Sequence, residues 1–218
     1  IFNEELMSKP ELEDSINFKL DKPYAVITFH PVTLDNNKSK EQVKALLDAC
    51  QKYKNMKFLF TKANADADGR IINQMIDDFV AKNDNAIAFT SLGTTKYLST
   101  LKYGTMVIGN SSSGLIEAPS FGIPTINIGD RQRGRIQADS VINCEPLQKD
   151  IEKAIDYALS KKVQEISKRA VNPYGDGNTS DKIIRIIKDY LLNSKIDLKK
   201  TFYDCEVKSW KILRLFLL

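Results

Sequence analysis

The residues best suited to chemistry lie in the run VIGNSSSGLIEAPSFGIPTINIG, from Val107 to Gly129. Ser111, Ser112, Ser113 and Gly114 stand where an apolar run ends and an amphipathic segment begins. Backbone N–H groups at a helix start converge with these hydroxyls on one spot, which suits an anion such as a diphosphate. The N-terminus of the helix expected there carries about half a positive charge, which suits a diphosphate. A cap needs only one serine, so capping accounts for part of the cluster. Glu117 follows three residues after Gly114. Its carboxylate could bridge two vicinal ribose hydroxyls; the alternative is a favourable charge in a first helical turn, worth up to ~1 kcal/mol.

Three other groups carry candidate chemistry. His30 follows the apolar run YAVITF and precedes Pro31. It can donate to a phosphate or act as an acid near neutral pH; the alternative is a turn histidine satisfied by backbone. In TKANADADGR, Asn64 and Asp66 could read a base or ribose and Arg70 could face a phosphate, or the stretch is an ordinary loop and cap. In GDRQRGR, Arg131, Arg133 and Arg135 suit phosphate or carboxylate, or form a solvated basic loop.

The elements that must position these residues alternate along the chain. Apolar runs of strand length occur at Tyr24–Phe29, Met56–Phe60, Ala86–Phe89, Thr105–Gly109 and Pro124–Ile128. Between them, SKEQVKALLDACQKY places Val43, Leu46, Leu47, Cys50 and Tyr53 on one helical face, and GRIINQMIDDFV places Ile72, Met75, Ile76 and Phe79 likewise. Further helices are predicted from Thr95, after Ser113, and in three segments from Leu147 onward, the last preceded by Asn178 or Thr179 as cap. Strands apolar on both faces, alternating with helices, predict an α/β fold: a Rossmann-like, doubly wound parallel sheet of five strands. All strand C-termini then share one edge, and all four polar groups fall on it.

The chain has 218 residues, 42% hydrophobic and 28% charged, with a net charge of +4. That is ordinary for a globular protein and large enough for a sizeable core. Acids and bases alternate, so no nucleic-acid partner is expected. No apolar run approaches the ~20 residues of a membrane helix, and no signal peptide is read; a cytoplasmic location is expected. Cys50, Cys144 and Cys205 are far apart and read as free thiols, and the single histidine excludes a histidine-based metal cluster. Residues 1–22 read as a short acidic helix and linker following a further N-terminal domain, 23–192 as the ligand-binding domain, and 193–218 as a tail.

Taken in order, TFHPVT, FTKANADADGR, IGNSSSGLIEAPSFGIPTINIGDRQRGR and NPYGDGNTSDKI resemble the C-terminal half of the UDP-N-acetylglucosamine 2-epimerases. The resemblance runs from about Phe2 to about Val207 and is nearest to the hydrolysing branch of sialic-acid and related nonulosonic-acid pathways. The non-hydrolysing branch has a different histidine motif and lacks GDRQRGR. The resemblance implies the C-terminal domain of a glycosyltransferase-B architecture. It implies a UDP or UDP-sugar ligand, no metal or redox cofactor, and a homo-oligomer when full length. It implies His30 as the catalytic group at the diphosphate, with Asn64 and Arg70 near the nucleotide and Leu92 on the base through its backbone. Ser111, Ser112 and Gly114 would form the phosphate loop, Glu117 would take the ribose, and Arg131 the phosphate or sugar side. The family reaction removes the sugar C2 proton, expels UDP to a 2-acetamidoglucal and adds water to give N-acetylmannosamine. The acids that move the C2 proton belong to the N-terminal half, so this half is expected to bind UDP weakly and to be inactive alone. Phe202, Tyr203, Trp210, Leu213 and Phe216 would pack on that half, although Lys208–Leu218 departs from the family pattern. A glycosyltransferase of the same architecture and a non-catalytic nucleotide-sugar-binding module are the alternatives.

Overall fold

In the computed structural model, residues 1, 4–32, 38–64 and 69–193 are described. The chain divides into two units, Ile1–Gly177 and Asn178–Leu218, where the sequence suggests boundaries near 22 and 193.

Among the described residues six strands form one parallel sheet: β1 (Tyr24–Thr28), β2 (Lys57–Thr61), β3 (Ala86–Phe89), β4 (Met106–Gly109), β5 (Thr125–Ile128) and β6 (Val141–Cys144). Their spatial order is β3-β2-β1-β4-β5-β6. β6 corrects the expected count of five. It is four residues long, carries Asn143 and is only half-buried at the sheet edge, so it lacks the apolar continuity that marks the inner strands. The chain grows outward from β1 through β3, then returns to place β4 against the other side of β1. This reversal between β1 and β4 is the switch point at which such sheets leave a crevice beyond the strand C-termini.

Every residue of β1 is buried, because alternate side chains enter two cores. Ala25 and Ile27 pack with α2 (Ser39–Cys50), α3 (Gly69–Val80) and α6 (Gln148–Leu159) through residues such as Leu46, Ile72 and Ile155. Tyr24 and Val26 pack on the opposite face with α1 (Lys9–Ile16) and α4 (Gly93–Tyr103) through Leu12, Ile16 and Leu101. Burial on both faces is the condition for a parallel sheet. The first helix, α1, begins with a reciprocal Ser8–Glu11 capping box and buries Leu12 and Ile16, so it belongs to the core of this unit.

The segment after β4 departs from expectation. α5 is a single turn, Ser113–Ile116, followed by a 3₁₀ turn over Ala118–Phe121. Pro119 has no N–H to give and disfavours a helical conformation in the residue before it. α7 (Lys161–Arg169) completes the first unit.

In the second unit, α8 spans Thr179–Asn193. The Asn178 carbonyl accepts from the Lys182 N–H, which makes Asn178 the cap residue. Ile183, Ile186, Ile187, Tyr190 and Leu191 form an exposed apolar stripe at helical spacing. The tail residues Phe202 to Phe216, and Cys205, lie outside the described residues. Cys50 and Cys144 are free thiols, and burial pushes Cys144 up to about 12. Among the described residues no helix is long and apolar enough to cross a membrane.

Candidate functional site

A cavity of about 410 Å³ opens over the C-terminal ends of β1, β2 and β3 and reaches the segment after β4. Parallel register aligns these ends: Thr28 pairs with Thr61 on one side and with Gly109 on the other. Gly109 has φ +138°, and a Cβ there would lie 1.9 Å from the Thr28 carbonyl oxygen. Only glycine lets β4 turn outward this close to β1, and that turn delivers Ser111 to the cavity.

His30, Leu92, Ser111, Ser113 and Glu117 all line this one cavity, so five of the thirteen residues singled out in sequence converge. The serines divide their work. Ser111 Oγ accepts from the Ser113 N–H at 3.4 Å, a partial cap. Ser112 occupies the N-cap position but makes no side-chain capping bond. The Ser113 hydroxyl is hydrogen-bonded to the Tyr97 hydroxyl. Because α5 has one turn only, few peptide dipoles align behind it. An anion here would therefore be held by local N–H groups and hydroxyls and not by a helix macrodipole of half a charge.

Glu117 also sits differently from the first-turn position expected for it. It is the residue that closes α5, its backbone N–H donating to the Ser113 carbonyl, and it precedes the 3₁₀ turn, for which its side chain makes no capping hydrogen bond. Stabilisation of a helix start therefore does not explain it, and its half-buried position on the cavity wall does.

Gly114 lies behind the wall. A Cβ there would meet Thr125 Cγ2 at 2.6 Å, and the Thr125 hydroxyl donates to the Gly114 carbonyl at 2.7 Å. Its missing side chain serves the packing of α5 on β5. Arg131 is exposed and donates from Nη1 to the Asn110 carbonyl at 3.1 Å. Ser112 and Arg131 neighbour the cavity through Ser111 and Asn110 without lining it. Asn64 and Arg70 are exposed on either side of residues 65–68, and Asp66 lies outside the described residues.

Several lining residues were not singled out in sequence. Thr28, Thr61 and Thr90 each stand at or just beyond a strand end, in VIT, LFT and AFT, and all three line the cavity. That threefold recurrence was a legible signal. Thr28 and Thr61 hydroxyls are hydrogen-bonded to each other, and the Tyr97 phenol is hydrogen-bonded to the Ser113 hydroxyl. Two hydroxyl pairs thus floor the cavity from β2 to α5. Burial, with the Glu117 charge adding to it, pushes the Tyr97 phenol up to about 12, although its hydrogen bonds act the other way. The phenol therefore stays protonated and keeps its donor at any physiological pH. Lys62 lines the same cavity, and its Nζ lies 2.7 Å from Asp77 Oδ1.

Comparison with known proteins adds family and fold. The family model described as UDP-N-acetylglucosamine 2-epimerase matches residues 2–188. The chain is 40% identical over 207 residues to the GDP/UDP-N,N'-diacetylbacillosamine 2-epimerase (hydrolyzing) of Campylobacter jejuni, covering 94% of this chain and 53% of that protein. It spans about half the length of the curated relatives it matches. Among solved structures, S. aureus MnaA with UDP superposes with a TM-score of 0.66 at 19% identity, over 90% of this chain and 52% of that one. The C-terminal domain of a group 1 glycosyl transferase from Francisella tularensis superposes with a TM-score of 0.51 at 14% identity, over 80% and 93%.

Proposed function

The chain belongs to the UDP-N-acetylglucosamine 2-epimerase family, and on that premise we propose that it is the nucleotide-binding half of a hydrolysing 2-epimerase. Its ligand is a UDP-linked 2-acetamido sugar of a sialic- or nonulosonic-acid pathway. The observation that carries this reading is the convergence of His30, Leu92, Ser111 and Glu117, from the three segments that follow β1, β3 and β4, on one cavity beside the β1/β4 switch point.

In this reading the N–H groups and hydroxyls of Ser111 and Ser112 take the diphosphate. Glu117 accepts from both ribose hydroxyls, and the Leu92 backbone meets the base. His30 donates to the diphosphate, and Arg131 closes the phosphate side. In the whole protein, loss of the C2 proton and of UDP gives a 2-acetamidoglucal, and addition of water gives the free 2-acetamido sugar. This half stabilises the leaving group, because donors aimed at the diphosphate offset the charge that develops as the bond to the sugar breaks. The residues that move the C2 proton belong to the half of the relatives that this chain does not span.

Calorimetry with UDP tests the reading. Saturable binding is expected, weakened by Ser111→Ala and by Glu117→Ala. No heat at millimolar UDP from a folded chain contradicts it.

A further inference from the structure

Asn110 is not among the cavity-lining residues, yet it ties its own loop after β4 to two others, those after β1 and β5. It follows β4 directly and is 1% exposed. Its backbone N–H donates to the Thr28 carbonyl at 3.2 Å, just beyond the last β1–β4 register pair, Thr28 with Gly109. Its side chain then continues the ladder by one rung. Oδ1 accepts from the His30 N–H at 2.7 Å, and Nδ2 donates to the His30 carbonyl at 2.8 Å. Both partners are main-chain groups, so the orientation of the amide is fixed by them. Its carbonyl accepts from Gln132 Nε2 at 2.8 Å and from Arg131 Nη1 at 3.1 Å.

A carboxamide spent wholly on the backbone of one residue 80 positions away does more than fill a core. A surface turn can satisfy its own N–H and carbonyl with water. Here the side chain holds the backbone of His30 in line with β1, beside Ser111, and Arg131 is tied to the same residue. We infer that Asn110 is a positioning residue: it fixes the His30 imidazole against the phosphate loop and couples the loop after β5 to it. The inference rests on the proposed diphosphate site and adds a residue to it. It also explains the dipeptide Gly109-Asn110, in which glycine permits the close approach to β1 and asparagine uses it.

The chain has one histidine, so its imidazole resonances report His30 alone. The experiment is a pH titration of those resonances in the intact chain, with and without saturating UDP, saturation being confirmed by calorimetry. An anion near an imidazole favours its charged form. In the wild-type chain the titration midpoint is expected to rise by about one pH unit when UDP binds. In Asn110→Ala that rise is expected to disappear while UDP still saturates. Asn110→Ser replaces it if the alanine variant does not fold. Lys62, Tyr97 and Glu117 line the same cavity and Arg131 bonds the Asn110 carbonyl. All four are present in both proteins, so the difference reports the placement of His30. An equal rise in the variant overturns the inference, as does the absence of a rise in wild-type protein that binds UDP. Absence of UDP binding by the wild-type chain overturns the nucleotide reading first, and this inference with it.

Discussion

Two hollows lie along the same strand edge, and the larger is the weaker candidate. The hollow over β5 and β6 measures about 840 Å³ and is lined by Lys38, Glu41, Asp130, Arg133 and Glu145, among others. The hollow over β1 to β3 measures about 410 Å³ and is lined by threonine, serine and tyrosine hydroxyls with one histidine, one glutamate and one lysine. Size does not separate a site from a surface depression. Position does: the smaller hollow borders the point where strand order reverses, where backbone donors from several loops converge. The larger one lies where β4, β5 and β6 follow one another in a single direction, with charges of both signs on its rim and no comparable convergence.

Variants that strike one hollow and spare the other sharpen this contrast. Gly109→Ala should have the largest effect. Its Cβ has no room beside the Thr28 carbonyl, so destabilisation of about 2–4 kcal/mol is expected. Thermal melting would show this as a fall on the order of 10 °C, with UDP binding lost. Glu117→Ala and Ser111→Ala should each weaken UDP binding by about tenfold to a hundredfold, the range for a hydrogen bond to a charged or multiply bonded group, with little change in melting temperature. Tyr97→Phe removes the hydroxyl that Ser113 is bonded to on the cavity floor. A loss of about 1 kcal/mol in stability and a severalfold weaker UDP affinity are expected from melting and calorimetry. Arg133→Ala, in the larger hollow, should leave UDP affinity within about twofold, since exposed charges contribute little. A tenfold loss there would reverse the ranking of the two hollows.

The contrast also shows what the sequence made legible. β1, β2, β4 and β5 stand out because their apolar runs are buried on both faces, and His30, Ser111 and Glu117 stand out because they break those runs at the ends. β6 does not, because VINC mixes Asn143 into a short, half-exposed edge strand. The threonine floor was legible only as a recurrence across three strands, because a single β-branched residue at the end of a strand reads as part of the strand. Tyr97 was not singled out in sequence, and nothing local reveals that its hydroxyl reaches Ser113. The macrodipole expectation failed at Pro119, which was visible in sequence and whose consequence, a helix of one turn followed by a 3₁₀ turn, was not drawn from it. Asn110 was legible as a residue and not as a role, because its partner is 80 residues away.

The most direct test is a map of amide resonances in the isotopically labelled chain during titration with UDP. Shifts are expected to cluster at Thr28, His30, Thr61, Leu92, Tyr97 and Ser111 to Glu117, while Asn143 to Gln148 stay unchanged. Shifts concentrated between Gly129 and Gln148, with Ser111 to Glu117 unmoved, would contradict it.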